Sequence, residues 1–210
     1  MCNRALTKSL RDNQYHTSEK REAAVFTIDR KENDFFDICS RAHPRASQCR
    51  TNCCLNARPP LTPKRIKLIQ AHLKKQKISL DKPFMQTSYT FPREDTENYC
   101  IFNDGKTGKC LIHAVKPETC VAGPITFDIN TKTRKIEWHL KKETLCPLAG
   151  RLYADKERLG KHQALAKAEI LRLVKELDAE ALKSILKIEE PETFMIAEDN
   201  VEKAVLAKLI

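Results

Sequence analysis

Tyr99-Cys100-Ile101-Phe102-Asn103-Asp104-Gly105-Lys106-Thr107-Gly108-Lys109-Cys110-Leu111-Ile112-His113 carries two short apolar segments on either side of an Asp-Gly turn signal, each with a cysteine. Lys116-Pro117-Glu118-Thr119-Cys120 follows. A proline three residues before a thiol suits a rigid turn or a short helix that aims its last side chain inward. The spacings Cys100-x9-Cys110-x9-Cys120 are too long for a metal-binding knuckle, so a folded scaffold has to converge them.

Outward from this stretch, eight of the nine cysteines fall between Cys39 and Cys146: Cys39, Cys49, Cys53, Cys54, Cys100, Cys110, Cys120 and Cys146. All eight are candidate metal ligands. In a reducing cytosol such a gathering reads as metal binding before it reads as disulfides. A structural zinc takes four Cys or His ligands, usually on short knuckles, whereas a cubane iron–sulfur cluster takes four thiolates at freer spacing. Cys49-x3-Cys53 fits either. Adjacent Cys53 and Cys54 are unusual for one zinc, because neighbouring side chains in extended backbone point to opposite sides. The pair feeds two sites, brackets a cluster, or includes one thiol that is merely buried. The expected cofactor is an iron–sulfur cluster, 4Fe-4S by type, or zinc, with iron–sulfur favoured and two zincs a further arrangement. His43 and His113 are secondary candidates. The competing explanation is independent burial, since a free cysteine packs as a small apolar residue.

The flanks set the expected fold, an α+β class. Residues 1–38 read as a polar N-terminal arm, 39–150 as a small loop-rich cysteine-cluster domain with short helices and a β-hairpin, and 151–210 as a helical C-terminal extension. Thr62-Pro63 signals a helix start, with Ile66, Ile69 and Leu73 on one stripe and an end near Gln76. A second short helical stretch is expected at 80–85. Alternating residues at 125–129 and 136–140 around a turn predict the hairpin. Beyond Leu152 the period becomes helical, with Leu159, Ala166, Ile170, Leu173, Val174 and Leu177 on one face. Further helices are expected at 178–188 and 199–209, separated by Pro191.

The formal charge is +10, and residues 1–150 hold 27 basic and 16 acidic side chains against 11 and 12 in the rest. Thiolates on a bound metal would lower the real charge of that basic portion. A nucleic-acid surface is the less favoured explanation, because the basic residues form no dense run interleaved with aromatics. No stretch approaches the ~18 apolar residues of a membrane span. The opening Met1-Cys2-Asn3-Arg4 lacks the apolar run of a signal peptide, so a cytoplasmic location and no membrane partner are expected. The five glycines form no G-x-G-x-x-G or phosphate loop. The partner expected is a protein or redox partner of unspecified identity.

Cys49-Arg50-Thr51-Asn52-Cys53-Cys54, Leu61-Thr62-Pro63, Cys100-Ile101-Phe102-Asn103, Gly108-Lys109-Cys110-Leu111-Ile112-His113, Lys116-Pro117-Glu118-Thr119-Cys120 and Cys146-Pro147 together resemble the YkgJ-type cysteine-cluster proteins, described as zinc- or iron-chelating domains. The resemblance spans roughly residues 39–150. Relative to that family's pattern, Cys49 lies one residue further from the paired thiols, the knuckle glycine is absent, and an early thiol is displaced to Cys39. His113 replaces a tyrosine, and Lys116 and Val121 replace arginines. The thiols are spared. The resemblance implies a metal or iron–sulfur site without supplying a reaction. One relative through this module, the flagellin lysine methylase, implies a cluster-dependent enzyme as an alternative, either a protein lysine methyltransferase or an oxidoreductase. A zinc-stabilised nucleic-acid-binding module is the second alternative.

Overall fold

Thr62-Pro63 begins the first helix, α1 (Pro63–Lys75), in the way the residues dictate: the Thr62 side chain accepts the Arg65 N–H at 3.1 Å, and Pro63 occupies a position whose N–H is not needed. Gln76 closes it. The computed structural model describes residues 53–190 and 192–210. The expected arm 1–38, the candidates Cys39, His43 and Cys49, and Pro191 lie outside the described residues.

After α1 come a two-stranded antiparallel pair, β1 (Phe84–Gln86) and β2 (Thr90–Pro92), a 3-10 turn (His113–Val115) and a one-turn helix α2 (Glu118–Ala122). The hairpin β3 (Ile125–Asn130) and β4 (Lys135–Lys141) then leads into α3 (Pro147–Ala154), α4 (Lys156–Glu176) and α5 (Ala179–Ile185). A fifth strand, β5 (Thr193–Asn200), and a short α6 (Lys203–Leu206) complete the chain. The described residues thus form a small α+β fold. The larger sheet has the order β3-β4-β5, antiparallel throughout.

Period-two alternation along β4 puts Ile136, Trp138 and Leu140 on one face, and all three are buried. Opposite them stand Ile129, Phe127 and Ile125 of β3. The helical period of α4 brings Leu159, Ala166, Ile170, Leu173 and Val174 into the same core. Each large side chain so enclosed is worth about 1.5–3 kcal/mol relative to exposure. This larger core draws residues from Tyr89 to Val205. A smaller one joins Leu61, Ile69 and Leu73 around α1 to Phe102 and Ile112, with Cys100 and Cys110 packed against it.

Two expected helices are corrected. At 80–85 the chain instead enters β1, with Met85 opposite Phe91 and the Phe84 ring 5.9 Å from that of Phe102. Pro83 disfavours helical backbone at Lys82, which takes φ 39°, and leaves the following residues to pair as a strand. The expected helix at 199–209 is shortened to Lys203–Leu206, because 193–200 pairs along the open side of β4 as β5. An unpaired strand edge presents a row of N–H and C=O groups, and satisfying it outweighs the helical tendency of this segment. Asp199, expected as a helix cap, accepts instead from the Trp138 indole N–H at 2.7 Å and pairs with Lys167 at 2.7 Å.

Candidate metal centre

Backbone pairing assembles the site before any sulfur is considered. The Cys100 N–H donates to the Cys54 carbonyl at 2.8 Å, with bridges between Leu55 and Tyr99 and between Glu94 and Cys100 on either side. Asn103 and Cys110 form another bridge. Between them the Asp-Gly signal acts as a tight loop: the Asp104 carbonyl accepts the Gly108 N–H at 2.6 Å, the Thr107 hydroxyl donates to the Asp104 carboxylate at 2.6 Å, and Gly108 takes φ 66°, which glycine adopts without strain. The Thr107 hydroxyl holds the Asp104 carboxyl below its ordinary value.

Four candidate sulfurs come into one neighbourhood. Cys54, Cys100, Cys110 and Cys120 interact electrostatically with one another. Donors are aimed at three of them. The Phe102 backbone N–H donates to Cys100, the Ile112 N–H donates to Cys110, and the Asn103 side chain hydrogen-bonds the Cys54 thiol. A backbone N–H offered to sulfur from two residues downstream favours the thiolate that metal coordination requires. Cys120 lies within α2, and the Lys116 ammonium acts on Cys120, Cys110 and Cys54 alike.

Without a cation, burial dominates these thiols. It pushes Cys100 up to about 12, Cys110 to about 11, Cys120 well above the ordinary thiol value and Cys54 upward. A bound cation inverts that balance, because its charge sits closer to the sulfur than any other and ligation deprotonates the thiol outright. Among the described residues no group of three or more His, Cys, Asp or Glu side chains stands ready-made to hold a metal ion. The donor set is nevertheless the right one: four thiols from three chain segments, three of them already receiving hydrogen bonds. Zinc–sulfur bonds near 2.3 Å would draw the sulfurs to about 4 Å from one another.

The remaining candidates are placed differently. Cys53 is exposed beside half-buried Cys54. Cys146 is buried at the start of α3 and belongs to the larger hydrophobic core. His113 opens the 3-10 turn, its N–H directed to the Cys110 carbonyl at 3.2 Å.

One feature escaped the sequence reading. Arg65, Glu118 and Glu169 are 3%, 1% and 4% exposed and form a buried ion cluster beside the thiol-bearing segment. Arg65 Nε donates to Glu118 Oε1 at 3.0 Å and Nη2 to Glu169 Oε2 at 2.6 Å, while Arg172 donates to Glu169 Oε1 at 2.8 Å. The Thr62 hydroxyl reaches Glu118 Oε1 at 3.5 Å. Burial pushes the Glu118 carboxyl up, against the downward pull of Arg65. The cluster ties α1 and α2 to α4. On the other end of α2, the His162 ring Nε2–H donates to the carbonyls of Ala122 at 2.9 Å and Gly123 at 3.1 Å. A signal was present: Arg65 falls four residues before Ile69, and Glu169 three after Ala166, so both interrupt apolar stripes.

Residues 45–147 match the family described as "Putative zinc- or iron-chelating domain". No curated protein and no solved structure matches the chain. Among the described residues no helix is long and apolar enough to cross a membrane. The family match covers all four gathered cysteines, and the segment 45–147 belongs to this family of cysteine-cluster domains.

Proposed function

We propose that this chain is a metal-chelating protein whose centre, an iron–sulfur cluster or zinc, is held by the thiolates of Cys54, Cys100, Cys110 and Cys120. The observation that carries this reading is the convergence of these four electrostatically coupled thiols, with N–H donors of Phe102 and Ile112 directed at two of them. Scattered packing cysteines have no reason to share a neighbourhood or to receive such donors. The group would supply Lewis acidity if zinc and electron transfer if iron–sulfur. The chain's own residues would position the sulfurs, offset their charge and exclude water. Anaerobic purification with elemental analysis and an absorption spectrum tests the proposal and separates the two metals. About one centre per chain is expected, with bound metal lost on changing any of the four cysteines to serine. Protein recovered with neither iron nor zinc, and unable to take up either, refutes it.

A further inference from the structure

We propose that Lys116 is the positioning residue of this centre, supplying the fixed positive charge that offsets the thiolates when metal is bound. The inference rests on the proposed metal site and deepens it. Lys116 closes the 3-10 turn, and Pro117 then starts α2, so its backbone is held between two ordered turns. Its side chain is buried, at 8% exposure. It acts electrostatically on Cys54, Cys110 and Cys120, three of the four gathered thiols, which come from two chain segments besides its own. Glu118, two residues further on, is turned to Arg65 and Thr62.

A buried ammonium among neutral thiols is a poor arrangement, since desolvating the charge is costly without an opposite charge nearby. Among thiolates it is a favourable one. Four thiolates on a divalent ion leave a net charge of about −2 in a poorly solvated place, and one enclosed cation halves it. The energetic role of Lys116 therefore belongs to the loaded form. A lysine kept merely for packing would matter equally in both forms, and its methylene stem would be replaceable by methionine.

The test uses the full chain, freed of metal under anaerobic conditions, and Zn²⁺ alone as the probe in competition with a chromophoric chelator. Lys116→Met and Lys116→Gln are expected to bind Zn²⁺ about 10–100-fold more weakly than the native chain, the usual cost of losing an outer partner of a metal site. Lys116→Arg is expected to stay within about threefold, because it keeps the charge. Urea unfolding of the metal-free proteins, followed by the fluorescence of the buried Trp138, should place both neutral variants at or above native stability. The inference is overturned if the neutral variants bind Zn²⁺ within threefold of the native chain. It is equally overturned if they lose stability without metal, which would make the lysine structural. A native chain that takes up no Zn²⁺ or iron brings down the metal site itself. A native chain that binds alongside equally competent neutral variants brings down only the role of Lys116.

Discussion

Replacing Arg65 by methionine is the most demanding perturbation of the fold, because it strips one partner from a buried charge cluster while preserving most of the side-chain volume. The native guanidinium is 3% exposed and makes two charge-assisted hydrogen bonds, to Glu118 at 3.0 Å and to Glu169 at 2.6 Å. Bonds of this kind contribute roughly 1.5–3 kcal/mol each, and breaking a buried pair from one side typically costs about 3–5 kcal/mol. Glu169 retains Arg172, but Glu118 retains only the longer contact with Thr62, so most of the loss falls on Glu118. A loss of about 3–5 kcal/mol is expected for Arg65→Met. Against a total stability of about 5–15 kcal/mol for an ordinary domain, that displaces the urea midpoint far enough to measure. The single tryptophan, Trp138, is 0% exposed in the larger core and reports the transition by fluorescence. Measured with and without metal, the loss should appear in both states. Combining Arg65→Met with Glu118→Met removes the orphaned carboxylate as well, so the double variant should recover about 2 kcal/mol, since apolar replacement of a whole buried pair is often nearly neutral. If Arg65→Met lies within 1 kcal/mol of the native chain, or the second change adds to the first, the cluster does not bind α1 to α2 and α4 as described.

Other outcomes follow from the same contacts. Cys54→Ser should abolish most metal uptake while Cys53→Ser, at the exposed neighbour, leaves it nearly intact; equal losses by elemental analysis would mean that both coordinate. Burial lowers the His162 pKa below its ordinary 6.5, so the unfolded chain takes up this proton first as pH falls. The stability His162 contributes is then complete above pH 6.5 and lost on acidification, at no more than about 1.4 kcal/mol per pH unit. Urea titrations of metal-free protein between pH 7.5 and 5 should show a shallower decline for His162→Gln, and identical slopes would exclude the residue as the cause. Asp199→Asn weakens the acceptor shared by Trp138 and Lys167 and should cost about 1 kcal/mol with a shift in tryptophan emission, whereas an unchanged spectrum would place the indole outside that bond. Lys208 donates to the carbonyls of Val174, Lys175 and Leu177 at the end of α4, so Lys208→Met should cost roughly 1 kcal/mol and raise hydrogen exchange in that last turn alone.

The sequence by itself determined the local elements whose cause is local. Thr62-Pro63 started α1, the alternation at 125–129 and 136–140 made the β3–β4 hairpin, and the apolar stripe from Leu159 to Val174 laid α4 against it. The thiol-rich composition also pointed to metal chelation, in agreement with the family matched over residues 45–147. Tertiary structure alone decided which thiols meet: Cys54, Cys100, Cys110 and Cys120 converge, while Cys146, equally plausible by spacing, enters the apolar core. It also turned 193–200 into a strand, because the open edge of β4 offered hydrogen bonds that no local propensity could anticipate. The partnership of Arg65 with Glu118 and Glu169 was hidden for the same reason. Residues 53 and 104 positions apart come within hydrogen-bonding reach only when helices pack, and a one-dimensional pattern carries periodicity but not the partner across the interface.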